Sequence, residues 1–340
     1  MNAYRTYSDI SNLIAHNLFK IPLDIDLIVG VPRSGMIPAL MIALMLNKPV
    51  CDLDTFLEGK MWRSGLRGRR QKFNWSKVKK VLIFDDSVNT GYAIDEVKTL
   101  IAQSKIHNKY TILFGCVFTS PGMEGSVDFY FEEVITPRFF EWNFVHHSQL
   151  QKACLDIDGV ICVDPSPEEN DDGEKYIEFL RNAKPLYIPT VYISCFVTSR
   201  LEKYRKHTVE WLKKYNINYG ELIMLDLTSK KERIKQNAHG KFKAEVYRKR
   251  KEQIFIESSR KQAEEIFYLA KKNVLCLENN KLYSNYLSNQ QIIDGNKVSE
   301  MEQTIIYLTD NINSIKKSYA YRIGKNITYI PRKFLGVLEK

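Results

Sequence analysis

The chain has no CxxC pair. Its six cysteines, Cys51, Cys116, Cys154, Cys162, Cys195 and Cys276, lie scattered in or beside apolar runs, the pattern of small core residues and not of a zinc site or a disulfide framework. Long apolar runs are also missing. The longest, Met36–Leu46, has eleven residues, where a bilayer-spanning helix needs ~20. Acids and amides interrupt residues 1–20, so no secretory signal is visible and a cytoplasmic location is expected. Between Lys60 and Lys80 there is no acid at all, against nine Lys or Arg residues. At 340 residues the chain exceeds one ordinary core, which predicts two domains and an appendage. A composition of 44% hydrophobic and 26% charged residues is that of a soluble globular protein, and the net charge of +10 points to an anionic partner.

The stretch Val81–Gly91, VLIFDDSVNTG, reads as a buried strand, an acid pair and a small-residue turn that opens a helix at Tyr92. Backbone N–H groups of Ser87, Val88, Asn89, Thr90 and Gly91 would point into that turn, at a helix N-terminus suited to phosphate. Asp85 and Asp86 could accept hydrogen bonds from two neighbouring hydroxyls, and a phosphate beside a diol describes a ribose 5-phosphate. The string resembles the phosphoribosyl-pyrophosphate (PRPP) signature of type I phosphoribosyltransferases. That resemblance implies that Asp85 and Asp86 hold the ribose hydroxyls and residues 87–91 the 5-phosphate.

Upstream, residues 1–20 are predicted helical with Leu13, Ile14, Leu18 and Phe19 on one face, and Asp26–Val31 reads as a buried strand. The turn Pro32-Arg33-Ser34-Gly35 then leads into the apolar helix Met36–Leu46. Arg33 with the amides of Ser34 and Gly35 could grip pyrophosphate, and the resemblance places the family's pyrophosphate loop here. Strands at Thr111–Phe118 and Val127–Phe131 complete a doubly wound parallel sheet. The glycine-punctuated basic stretch is a candidate lid over a polyanion, with Lys60, Arg63, Arg67, Arg69 and Arg70 as candidate pyrophosphate ligands. Its other readings are a solvated loop, or a nucleic-acid patch with Trp62, Phe73 and Trp75 interleaved; nucleic acid is not the expected partner.

A second domain opens at Ala153–Val160, ACLDIDGV, where Asp156 ends an apolar strand and Asp158 lies two residues on, on the same side of the extended chain. Carboxylates so placed can share one Mg²⁺ and divide the chemistry, one attacking phosphorus and the other handling protons. The string resembles motif I of the haloacid-dehalogenase (HAD) superfamily of phosphatases. By that resemblance the strand Val191–Val197 ends in Thr198, the hydroxyl that binds the transferring phosphate, and Lys243 is the phosphate-stabilising lysine, in preference to Lys241. The strand Gln253–Ile256 leads to Glu257-Ser258 in the place of the metal-binding acids, with Ser258 departing from the commoner second acid. Asp156, Asp158 and Glu257 are then the implied metal ligands. Trp211-Leu212 and Leu222–Leu225 read as core. Only about forty residues separate Asp156 from Thr198, and Asp164–Lys175 has loop composition, so little chain is left for a cap.

The expected architecture is therefore α/β. It comprises a type I phosphoribosyltransferase domain (residues 1–150), a HAD-like domain with minimal cap (151–282) and an amphipathic basic tail (283–340). From Ser314 to Lys340 there are seven basic residues and one acid among tyrosines and aliphatics, a composition that suits an anionic membrane surface, or else a helix docking on the body. The tail loosely resembles those of bacterial glycan-building glycosyltransferases. The expected function is bifunctional, with Mg²⁺ in both domains: phosphoribosyl transfer from PRPP to a glycan hydroxyl, lipid-linked as one option, then removal of the 5-phosphate. The pairing resembles the phosphoribosyltransferase and phosphatase pairs that introduce ribofuranose into bacterial polysaccharides. Two alternatives stay open: a nucleotide-salvage transferase fused to a nucleotidase, and a regulatory protein that senses PRPP or nucleic acid.

Overall fold

The computed structural model describes residues 3–62, 73–106, 108–236 and 238–284. Arg63, Arg67, Arg69 and Arg70 of the candidate lid, and the tail after Ser284, lie outside the described residues.

The first half runs β1 (Ala3–Arg5), α1 (Tyr7–Asn17), β2 (Leu27–Gly30), α2 (Met36–Leu46), β3 (Val50–Asp52), α3 (Leu53–Leu57), β4 (Lys80–Val88), α4 (Tyr92–Gln103), β5 (Thr111–Thr119), β6 (Phe129–Glu133) and β7 (Arg138–Phe140). Five strands form an all-parallel sheet in the order β3-β2-β4-β5-β6. Their side chains alternate between two cores: Ile28, Leu82 and Phe84 face α1 and α2, while Leu27, Val29, Val81 and Ile83 face the opposite layer with Val97 and Ile101 of α4. Strands covered on both faces account for continuous apolar runs such as LIVG and VLIF. The helix expected over residues 1–20 is interrupted. Residues 3–5 are a strand paired in parallel with β7, and α1 begins only after Thr6, whose hydroxyl accepts from Asp9 N (3.1 Å) while the Asp9 carboxylate accepts from Thr6 N (2.7 Å). Ile10 and Ile14 are the buried residues of α1, whereas Phe19, expected on that face, is exposed.

The second half runs β8 (Ala153–Leu155), α5 (Glu174–Asn182), β9 (Ile193–Leu201), α6 (Arg205–Lys214), β10 (Tyr219–Leu225), α7 (Lys230–Lys235), α8 (Ala238–Lys249), β11 (Ile254–Glu257), α9 (Arg260–Ala270), β12 (Asn273–Cys276) and β13 (Lys281–Tyr283). The sheet order is β10-β9-β8-β11-β12-β13, parallel except for the antiparallel edge strand β13. Between β8 and β9 the one α-helix is α5, and its Tyr176, Phe179 and Leu180 are buried in the core of this sheet. Trp211, Leu212 and Leu222–Leu225 join the same cluster, apart from the partly buried Ile223, which packs on the opposite face. All six cysteines are buried and unpaired. One continuous apolar cluster links the halves, from Tyr4 and Phe139 of the β1/β7 pair through Phe144 and Leu150 to Leu155 and Phe196. Among the described residues no helix is long and apolar enough to cross a membrane.

Both sheets reverse their winding beside the first strand of their parallel core. The chain passes from β2 to β3 on one side and then to β4 on the other; it passes from β8 through β9 to β10 and then returns to β11. Loops diverge at such a switch point and leave a crevice at the carboxyl ends of the two central strands. The PRSG turn and the acid pair flank the first crevice, and Asp156 and Glu257 flank the second.

Candidate active sites

At the first crevice the PRSG turn meets the acid pair directly. Ser34 Oγ donates to Asp86 Oδ1 at 2.8 Å, and the Asp86 backbone N–H donates to Asp85 Oδ1 at 2.8 Å. A Cβ on Gly35 would lie 2.6 Å from Asp85 Oδ1 and 2.6 Å from the Val31 carbonyl, so only glycine lets the turn approach this closely. The Pro32–Arg33 peptide is cis, and Arg33 is exposed at the turn. Burial, then the neighbouring Asp86 charge, pushes the Asp85 carboxyl well above the usual carboxylate range.

Strand β4 is longer than its sequence suggests. It continues through the acids to Val88, so Ser87 and Val88 stand in register with Phe118 and Thr119 of β5, in the ladder and not in the turn. The turn proper is Asn89–Gly91, exposed at Asn89 and Thr90. Gly91, at φ +80°, caps α4, and Asn89 Oδ1 accepts from Ser120 Oγ at 2.9 Å. Lys60 is exposed and pairs with Glu58 at 2.7 Å.

Trp142 was missed in the sequence. Its indole N–H donates to Asp86 Oδ2 at 3.0 Å, and its ring stacks on Phe140 with centroids 4.7 Å apart. With Ser34 on one oxygen and Trp142 on the other, the Asp86 carboxylate is held from both sides while keeping acceptor sites free. The sequence signal was there in principle: Phe139-Phe140 followed by Trp142 is an apolar strand end, but only pairing with β1 carries it over the acids.

The second crevice is a cleft of about 420 Å³ lined by Asp156, Thr198, Arg233, His239, Lys243 and Gln262, among others. Lys243 is fully buried on α8, and its three ammonium hydrogens meet Asp156 Oδ2 (2.5 Å), Glu257 Oε2 (2.7 Å) and Gln262 Oε1 (2.8 Å). Burial opposes its charge, yet the two carboxylates win and raise the ammonium pKa above its ordinary value. Burial pushes Glu257 upward, with Lys243 opposing and Asp156 adding to the rise. Lys241 is exposed. Thr198 is buried within β9, which runs on to Leu201, and so is not at the strand end that the sequence suggests. Gly159, at φ +71°, turns the chain after Asp158 so closely that a Cβ would lie 2.4 Å from Ser258 Oγ.

Asp158 departs from its expected part in a metal site. Its carboxylate is engaged by the fully buried Arg200, with Nε 3.1 Å from Oδ2 and Nη2 2.6 Å from Oδ1. Among the described residues no three acids, histidines or cysteines cluster as a metal site, and the cation between Asp156 and Glu257 is the Lys243 ammonium. As a donor set, the hard oxygens of Asp156 and Glu257 fit Mg²⁺, which commonly keeps several waters; Asp158 as placed does not contribute its carboxylate. Arg200 lies two residues beyond Thr198, on the same side of an extended strand, a spacing that could have flagged it.

No family model matches the chain, and no curated protein matches it. Among solved structures, the chain is similar to a purine phosphoribosyltransferase from Pyrococcus horikoshii (20% identity over 42% of this chain and 93% of that one, TM-score 0.29). A xanthine-guanine-hypoxanthine phosphoribosyltransferase from Helicobacter pylori (14%, 42% and 92%, TM-score 0.32) and an orotate phosphoribosyltransferase from Aeropyrum pernix (18%, 38% and 71%, TM-score 0.26) are similar as well.

Proposed function

We propose that the chain is a bifunctional enzyme that transfers a 5-phosphoribosyl group from PRPP to a glycan hydroxyl with release of pyrophosphate, and then removes the 5-phosphate. The observation that carries this reading is that the residues singled out for phosphate chemistry meet at two switch points, Ser34 bonded to Asp86 at one and Lys243 between Asp156 and Glu257 at the other.

In the first step Asp85 and Asp86 accept from the ribose hydroxyls. The amides of Asn89–Gly91 hold the 5-phosphate, with the peptides of Ser87 and Val88 beneath them, and Arg33 with the Ser34 and Gly35 amides holds pyrophosphate. Lys60, Arg63 and Arg67 are the proposed basic partners of the leaving group. The acceptor hydroxyl's oxygen bonds to C1 as the C1–pyrophosphate bond breaks, and its proton leaves with the departing pyrophosphate. In the second step an Asp156 oxygen bonds to phosphorus and the bond to the 5-oxygen breaks, Asp158 giving that oxygen its proton; water then takes the phosphoryl group from Asp156. Thr198 and Lys243 hold the phosphoryl oxygens. Asp156 and Glu257 would hold Mg²⁺, which supplies Lewis-acid charge stabilisation there, as it would at the pyrophosphate in the first site.

A glycan acceptor follows from the coupling of the two steps. Dephosphorylating a nucleotide would undo the product of salvage, whereas a ribosylated sugar loses its phosphate and remains a ribofuranoside. The tail, residues 283–340, is proposed to meet an anionic membrane surface, where a lipid-linked acceptor would lie. The test is incubation with PRPP, Mg²⁺ and separate panels of nucleobases and glycan acceptors, with products weighed by mass spectrometry. A glycan heavier by one unphosphorylated ribosyl unit is the expected product. Pyrophosphate release driven by a free base would instead establish the salvage reading, and PRPP binding without turnover the sensing one.

A further inference from the structure

The second cleft holds a cation that the proposed mechanism does not use. Arg233, on α7, is 6% exposed, its Nη1 donates to the Ser199 carbonyl at 2.7 Å, and its Nε is enclosed with no acceptor. It makes no ion pair with a carboxylate among the described residues. Of the nearby carboxylates, Asp158 is taken by Arg200, and Asp156 and Glu257 by Lys243, while Asp164 and Glu278 also line the cleft but form no ion pair with Arg233. Ser199, beside Arg233 and next to Thr198, likewise has its hydroxyl enclosed without a partner. Both residues line the cleft.

A buried guanidinium without a counter-charge is costly, and so is an unsatisfied buried hydroxyl. Two such groups side by side, on the wall of one cleft, describe a site whose anion arrives from outside. The cleft as a whole carries acids as well, Asp164 among them, but its His239 side is positive. Burial, then the charges of Arg233, Lys243 and Lys261, pushes the His239 imidazole on the same wall down to about 4, so this wall is cationic through residues other than histidine.

We infer that Arg233 and Ser199 form an anion-binding subsite, beyond Thr198 and Lys243, that grips the oxygens of a phosphate monoester dianion and retains inorganic phosphate after cleavage. The site itself stands on Arg233 and Ser199; the inference rests on the phosphatase reading only for which anion occupies it. A planar guanidinium presents a fork of donors to phosphate oxygens, which a lysine would meet as a point charge.

The experiment measures inorganic phosphate binding to the full chain by titration calorimetry, which needs no turnover, alongside steady-state hydrolysis of p-nitrophenyl phosphate. Arg233→Gln should weaken phosphate binding at least about tenfold and raise KM more than it lowers kcat, since the charge-assisted hydrogen bonds to phosphate are lost. Arg233→Lys should recover part of the affinity, and Ser199→Ala should lose a few-fold. Phosphate affinity within twofold of wild type in Arg233→Gln overturns the subsite. Should that variant not fold, as judged by circular dichroism, Ser199→Ala decides, and unchanged affinity there overturns it. Arg233-dependent phosphate binding without hydrolysis by the wild type would sink the phosphatase reading and leave the subsite standing. Hydrolysis with Arg233-independent binding would do the reverse.

Discussion

Arg200 holds Asp158 with two nitrogens, Nε at 3.1 Å from Oδ2 and Nη2 at 2.6 Å from Oδ1, while a third, Nη1, donates to Thr208 Oγ1 at 3.3 Å. A guanidinium locked from both ends fixes the plane of the carboxylate it grips. If Asp158 carries protons to and from the leaving oxygen, Arg200 is a positioning residue for that task. Arg200→Lys keeps the charge and loses the fork, so phosphatase kcat should fall about 10–100-fold with KM little changed. A lost activity that tracks a lost fold, read by thermal unfolding, would show the pair to be structural.

Asp156→Asn keeps an oxygen for the Lys243 ammonium but removes the nucleophile. Hydrolysis should drop at least about a thousandfold, while PRPP-dependent pyrophosphate release continues. The glycan product should then accumulate heavier by one phosphate, which mass spectrometry detects directly. Dephosphorylated product at the normal rate would remove Asp156 from the mechanism.

Asp85 sets function against stability. Its carboxyl is raised by burial and by Asp86, so the folded chain keeps a proton there that the unfolded chain releases. Stability from this group is therefore lost as pH rises from the unfolded carboxylate pKa through the higher folded value, and stays lost above it. Asp85→Asn retains an acceptor for the Asp86 N–H and abolishes that loss. PRPP-dependent pyrophosphate release should fall about 10–100-fold per carboxylate removed, yet the urea midpoint at pH 7.5 should rise, the gain shrinking toward pH 4. A variant less stable at pH 7.5 would contradict the argument.

His239 works in the opposite sense. Its imidazole, pushed down to about 4 by burial and nearby cations, is neutral when folded and charged when unfolded at intermediate pH. Folding stability should therefore be unaffected above about pH 6.5 and decline as pH falls toward 4, with no further loss below. The amplitude is on the order of 1–2 kcal/mol after discounting for solvent screening of a partly exposed ring. His239→Gln should flatten that part of the pH–stability curve measured by denaturant titration, and an unchanged slope would show that other groups carry it.

Much of the architecture was legible in the residues because it is local. Continuous apolar runs such as LIVG marked strands buried on both faces, Met36–Leu46 appeared as a helix with the same bounds, and Tyr92 opened a helix behind Gly91. The acid pairs, the PRSG turn and Lys243 could be picked out because short strings of unusual chemistry stand out against ordinary turns. These are properties of neighbouring residues, and short-range sterics and alternation determine them.

What the tertiary structure decided was long-range. Residues 3–5 are a strand because β7, more than a hundred residues later, offers them an edge; nothing within residues 1–20 outweighs the helical pattern there. The same pairing carries Trp142 onto Asp86. Strand β4 runs on through Val88 because β5 continues beside it, which takes Ser87 and Val88 out of the turn. Arg200 and Arg233 look alike in the sequence, two basic residues among fifty. Both are buried, but the fold brings a carboxylate to one and leaves the other lining a cleft without a counter-charge. The cost of burying a charge depends on what the rest of the chain brings within a few ångströms of it, and that is a property of the fold.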